Sequence, residues 1–214
     1  MRLQPLLLFI LFTLVLLPPL SLATTPSELQ AQIELEEKNQ SLLQTLDTAA
    51  NAGDIEAMNA LGQMYETGTD VSKDLKQARK WYVQAANQGS ANAQYALARF
   101  YREGLGVSVD RDMALIFLRK AASQDYPPAL CELGMIYVTD TSSTEHLPTG
   151  LDFIKRAAIK GYAACQYQLA QWYFSGTHLE LNHEKALAWC QKALEQHFPE
   201  SATLCQQIQQ HSAE

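Results

Sequence analysis

The chain has 214 residues and a formal net charge of −7. So few cations exclude nucleic-acid binding by phosphate neutralisation. Hydrophobic residues at 47% and charged residues at 18% exclude wholesale disorder, while 8 Pro and 10 Gly exclude collagen-like and most low-complexity sequences.

Residues 1–23 read as an address. Arg2 precedes an apolar run over 6–17, Pro18-Pro19 ends it, and Ser21-Leu22-Ala23 places small residues at the first and third positions. This is the order of a secretory signal peptide: charged start, apolar middle, cleavage site. The alternative is an uncleaved anchor, but the run is short for a bilayer span. Cleavage after Ala23 removes one positive charge and no acid. No Cys stands there to carry a lipid, and no later stretch is long and apolar enough for a membrane helix. The mature chain is expected to be exported, to the periplasm or beyond.

Residues 24–51 are expected to form an N-terminal helix and a half-repeat cap. The stretch 27–39 reads as a leading helix, with Ser27 as N-cap and Gln30 in the reciprocal position. Glu34, Glu36 and Glu37 give it a solvated face. Asn39-Gln40-Ser41 is a glycosylation acceptor pattern, meaningful only in a eukaryotic host. Leu42, Leu46, Ala49, Ala50 and Gly53 then match the second helix of a missing copy of the repeat that follows.

That repeat has a stride of 36 residues. Leu61, Leu97, Leu133 and Leu169 form one column; Tyr65, Tyr101, Tyr137 and Tyr173 form another. Trp81, Phe117, Phe153 and Trp189 keep the same phase, as do the small residues Gly62, Ala98, Gly134 and Ala170. The four copies run over about 52–90, 91–126, 127–162 and 163–200. In each, apolar residues such as Ala57, Ala60, Leu61, Met64 and Tyr65 fall at helical spacing. Gly68 and Gly104 supply the positive φ that ends a first helix. Asp74, Asp110 and Asn182 stand where the second helix needs an N-cap. Copy three departs from this, with Asp140 and His146 in place of the turn Gly and the cap Asp. Pro148 and Gly150 also intrude, so 139–149 is expected to be the least regular loop. Residues 201–214 read as a capping first helix with polar Gln206, Gln207, Gln209 and Gln210 outside. One hairpin cannot bury its apolar face alone, whereas stacked hairpins share a continuous core.

The pattern Ala57-x-x-x-Leu61-Gly62-x-x-Tyr65-x-x-Gly68, then Asp74-x-x-x-Ala78-x-x-Trp81-Tyr82-x-x-Ala85-Ala86-x-x-Gly89, resembles the Sel1-like repeat. That family is a relative of the tetratricopeptide repeat, and the resemblance covers roughly 52–200. It implies an all-α fold: a right-handed α-solenoid of stacked hairpins, used as a non-catalytic adaptor for proteins and often exported by bacteria. Some exported relatives are linked to envelope assembly, virulence or cell-wall recognition.

Four cysteines in an oxidising compartment invite disulfides. Cys190 and Cys205 lie equally far from the turn expected near His197-Phe198, so a bond pinning the C-terminal cap is predicted. Cys131 and Cys165 sit on first helices of successive copies, two positions out of phase. Helix axes about 8–10 Å apart are expected to keep that pair unbridged.

No Ser-x-x-Lys, Gly-x-Ser-x-Gly, His-Glu-x-x-His or phosphate-cradling loop is present. Thus neither a catalytic residue nor a cofactor is predicted. His178, Glu180 and His183 lack ordinary zinc spacing and read as a solvated loop; no metal is expected. His197 takes the Gly89 column and reads as a turn residue.

A solenoid binds along the face lined by one helix of each pair. The candidate stripe is Asn59, Gln63 and Glu66; Tyr95, Arg99 and Arg102; Cys131, Met135 and Val138; Tyr167, Gln171 and Phe174. Its chemistry changes between copies while the core columns hold theirs. Val138 and Phe174 are apolar on a face that would then need a partner. Arg99 and Arg102 suit an acidic peptide or a carboxylate-bearing glycan. The alternative is an ordinary solvated face. Two functions of different class follow. One is a scaffold that binds another envelope or secreted protein in its concave groove. The other is a cell-wall (peptidoglycan-related) ligand-binding or hydrolytic protein, such as a cell-wall or β-lactam hydrolase.

Overall fold

In the computed structural model, residues 26–143 and 145–211 are described; the signal-peptide reading of residues 1–23 lies outside them, as do residues 212–214. The described residues form ten helices and no strand: α1 (Pro26–Asn51), α2 (Ile55–Thr67), α3 (Leu75–Asn87), α4 (Ala91–Glu103), α5 (Arg111–Ser123), α6 (Pro127–Thr139), α7 (His146–Ile159), α8 (Ala163–Ser175), α9 (His183–Glu195) and α10 (Ser201–His211). The chain divides into two units, Met1–Thr45 and Leu46–Glu214. In the first, the described residues are one largely exposed helical stretch. The second is the solenoid: α2/α3, α4/α5, α6/α7 and α8/α9 are its four hairpins, and α10 follows in the place of a further first helix.

Two expectations for the N-terminal segment need correction. The leading helix and the half-repeat are one continuous helix, α1, and no break separates them. Ser27 falls inside its first turn, so it is not the N-cap.

Local chemistry sets the other helix ends. Asp54 accepts from Ala57 N at 3.0 Å. Asp74 accepts from Lys76 N and Gln77 N at 2.9 and 3.1 Å, Asp110 from Met113 N at 2.9 Å, and Asn182 from Lys185 N at 2.8 Å. Each cap satisfies a backbone donor that the first helical turn leaves free. Gly68, Gly104 and Gly176 end α2, α4 and α8 in the left-handed region. His197 is left-handed too, with φ 55°, as its place in the Gly89 column predicts.

Copy three is more regular than expected. Helix α7 already begins at His146, and Pro148 lies in its first turn, where a missing N–H breaks no helical bond. Gly150 is a packing residue within the helix. A Cβ there would lie 2.7 Å from Gly134 O, and one on Gly134 would lie 2.9 Å from Gly150 O. The two glycines let α6 and α7 cross backbone to backbone.

The alanine columns are fully buried: Ala78, Ala85, Ala93, Ala121, Ala129, Ala157, Ala186 and Ala193 all have no exposed surface. Polar bonds also tie copies together. Gln94 Nε2 donates to Ala86 O at 3.4 Å while its Oε1 accepts from Gln124 at 2.8 Å. Gln166 repeats this 72 residues on, donating to Ala158 O at 3.1 Å and accepting from Gln196 at 2.8 Å.

Both cysteine pairs are bonded. Cys190–Cys205 is as predicted, with Cα atoms 5.7 Å apart. Cys131–Cys165 corrects the expectation of an unbridged pair: the bond exists, with Cα atoms 5.8 Å apart. Axes about 8–10 Å apart do not hold facing Cα atoms that far apart, because each lies about 2.3 Å off its own axis. Cys165 belongs to the Ala57 column, which is buried and small in every copy (Ala57, Ala93, Ala129, Ser201). Cys131, 34 positions earlier, lies within bonding distance of Cys165. Two disulfides fit folding in an oxidising, extracytoplasmic compartment. No described helix is long and apolar enough to cross a membrane.

Candidate functional site

The predicted stripe does not form one open face. Asn59 is buried and accepts from Ser90 Oγ at 3.1 Å. Glu66 accepts from the Tyr82 hydroxyl at 2.9 Å and pairs with Arg99, so copies one and two are joined there. Arg102 pairs with Glu132 of copy three and with Glu103. Both arginines are thus engaged within the chain. Cys131 is consumed by its disulfide. Val138, expected to be an exposed apolar residue, is buried against Gly150; this corrects its assignment to the groove. Its side chain seals the close crossing of α6 and α7.

The rest is a partly open surface. Gln63 is exposed, and Met135 is half-buried against the core. Tyr95 leans on Tyr126 with ring centroids 5.6 Å apart. Tyr167 packs on Phe198 at 5.3 Å, and its hydroxyl accepts from Gln171 Nε2 at 3.1 Å. Phe174 lies between the rings of His183 and His211, at 5.6 and 5.5 Å. His178 instead meets Trp172 edge-on at 5.1 Å, so His178 and His183 each pack on a different aromatic.

Electrostatics follow these contacts. Burial, then the nearby Glu66 carboxylate, pushes the Tyr82 phenol up. Burial, then Glu132, does the same to Tyr95. Both rings therefore stay neutral hydrogen-bond partners. The hydrogen bond that Arg102 donates to Glu132 raises the guanidinium further, so it is a permanent cation.

An apolar pocket of about 280 Å³ opens between α4, α5 and α6. Its walls are Ala98, Ala114, Leu115, Leu118 and Ile136, and its rim carries Arg102, Arg111 and Glu132. Of these only Arg102 belongs to the predicted stripe. A shallower hollow of about 400 Å³ at copy four is lined in part by Gln171, Trp172, Phe174 and Leu204. The signal for the first pocket was in the sequence but needed two columns at once. The column Tyr82, Leu118, Ile154, Cys190 and the column Phe100, Ile136, Trp172, Ile208 meet in each layer, and only copy two puts two small aliphatic residues there with no disulfide beside them.

The fold and its polar ties define an α-solenoid of stacked helical hairpins. The Sel1 repeat model matches residues 55–90, 91–126 and 163–198, so the chain belongs to the Sel1 repeat family. Copy three, which carries the Gly134–Gly150 crossing, is outside those matches. Among solved structures, a Sel1 repeat protein from Oxalobacter formigenes is 31% identical, with TM-score 0.68, over 78% of this chain and 48% of that one. A protective antigen of uropathogenic Escherichia coli strains displaying an SLR fold is 32% identical, with TM-score 0.62, over 72% of this chain and 33% of that one. This chain thus spans half or less of both. An immunity protein of Pseudomonas aeruginosa is 25% identical, with TM-score 0.57, over 95% of this chain and 70% of that one. No curated protein matches.

Proposed function

We propose that the protein is a scaffold of the bacterial envelope or a secreted scaffold, binding a segment of another protein along the face made by α2, α4, α6 and α8. Sel1 repeats generally serve protein interaction, and the two disulfides support a site of action outside the cytoplasm. One observation carries the reading. The face between copies two and three keeps an open apolar pocket with a charged rim. Exposed apolar surface of this kind is costly unless something covers it. The periplasm suits a chain with the expected leader. Residues Gln63, Tyr95, Arg99, Arg102, Met135, Tyr167, Gln171 and Phe174 are the accessible part of the proposed face; Asn59, Glu66 and Val138 support it from behind.

The test is crosslinking with a photoreactive residue at Ile136, on the pocket, and at Ile116, an exposed α5 residue outside its lining. The scaffold reading expects a discrete protein adduct at position 136 and none at 116. Equal, diffuse labelling at both positions would sink it.

A further inference from the structure

We propose that the copy-two pocket takes one aromatic side chain with a carboxylate beside it, presented by the bound protein segment; this rests on the scaffold reading above. Equivalent layers of the same chain supply the template. In copy one, Tyr82 and Phe100 meet edge to face, with ring centroids 5.6 Å apart. Phe100 is fully buried. In copy three Trp172 takes the Phe100 place at 6% exposure, and in copy four Ile208 is fully buried there beside the Cys190–Cys205 bond. Copy two has Leu118 for Tyr82 and Ile136 for Phe100. Ile136 is 39% exposed, and about 280 Å³ stays open beside it. That volume lies just under the range of small-molecule pockets, about 300–1,000 Å³, so a single side chain suits it. An aromatic ring is the group this layer already accommodates in copies one and three, and it buries the most apolar surface for the freedom it loses.

The rim selects the neighbouring charge. Arg111 stands where copies one and three have Leu75 and Leu147. It makes no ion pair with a described residue. Asp110 and Asp112 flank it in sequence; neither lines the pocket, and Asp110 caps Met113 N. Arg102, the other rim cation, is already balanced by Glu132. Among the charged residues that line the pocket, Arg111 is thus the one without an ion pair, and it lies in the first turn of α5. A carboxylate next to the ring meets that charge.

Methyl NMR of the oxidised protein tests this with Ac-Phe-Glu-NH2, Ac-Phe-Gln-NH2, Ac-Ala-Glu-NH2 and Ac-Leu-Glu-NH2. Saturable shifts are expected at Ala98, Ala114, Leu115, Leu118 and Ile136 with Ac-Phe-Glu-NH2. Affinity should fall about threefold with the Gln analogue, as suits a rim-exposed ion pair. The Ala and Leu analogues should bind at least tenfold more weakly. L118F, which fills the pocket, should abolish the shifts. R111Q, a surface change that leaves the fold intact, should equalise the Glu and Gln probes. No saturable shift at these methyls, equal binding of the Phe and Leu probes, or binding unaffected by L118F would overturn the proposal. A crosslinked partner that still binds L118F would overturn it and leave the scaffold reading standing. Dipeptide binding without any protein adduct at position 136 would support the pocket and sink the scaffold reading alone.

Discussion

Gly62 has a neighbour that makes its substitution diagnostic. A Cβ at this position would lie 2.5 Å from Tyr82 Cε1 and 2.7 Å from Cδ1. The ring cannot swing out cheaply, because Tyr82 is 4% exposed and its hydroxyl is held by Glu66. Removing a mid-helix glycine gains about 1 kcal/mol, while overpacking a filled core costs about 1–3 kcal/mol. G62A should therefore destabilise by about 1 kcal/mol. Y82L should cost about 2–3 kcal/mol as a large-to-small core change that also loses a hydrogen bond. The double variant reproduces the Ala98–Leu118 pair of copy two, so in the Y82L background G62A should stabilise by about 1 kcal/mol. Urea unfolding followed by circular dichroism measures the cycle, and the expected coupling is about 2 kcal/mol. If G62A had the same effect in both backgrounds, the equivalence of the two layers would be refuted.

Other outcomes follow from single contacts. The oxidised protein should show no thiol reactive to alkylation under denaturing, non-reducing conditions, and peptide mapping should recover the 131–165 and 190–205 links; free thiols at 131 and 165 would contradict the close approach of α6 and α8. Replacing Cys190 and Cys205 by Ser should cost about 3 kcal/mol, and replacing Cys131 and Cys165 somewhat more because that loop is longer, both read by urea unfolding. D110A should cost about 1 kcal/mol through the lost cap, seen as a lower urea midpoint. The hydrogen bond from Arg156, with its charge and that of Lys160, holds the Asp125 carboxyl below its usual value of 3.8. Its contribution to stability is present above that value and is lost as pH falls through the folded value. Carboxyl NMR should show Asp125 titrating late on acidification, and R156Q should return it to the ordinary range.

Much of this fold was legible because periodicity reports packing directly. Leu61 and Tyr65 recur in every copy since each hairpin meets the same neighbours, and Asp74, Asp110 and Asn182 announce their helices by local bonding alone. The stripe was harder to read. Glu66, Arg99 and Val138 look alike as first-helix positions beside the core, but contacts between helices decide which stay open: Glu66 meets Arg99 of the next copy, and Val138 meets Gly150 within its own hairpin. The Cys131–Cys165 bond was missed because axis spacing is not Cα spacing: facing Cα atoms each lie about 2.3 Å off their own axis, and these two are 5.8 Å apart. Gly150 looked like a loop residue until its partner Gly134 showed why a helix needed it. The pocket is invisible to any single column, since it arises from Leu118 and Ile136 being small together.

Xenon-pressurised crystals provide the most direct measurement of the unfilled layer. Xenon enters apolar voids and leaves filled cores empty. One xenon peak is predicted among Ala98, Ala114, Leu118 and Ile136, with none at the equivalent layers of Tyr82, Ile154 and Cys190. Ile136 folded inward to close the space, or xenon distributed alike over all four layers, would contradict the account.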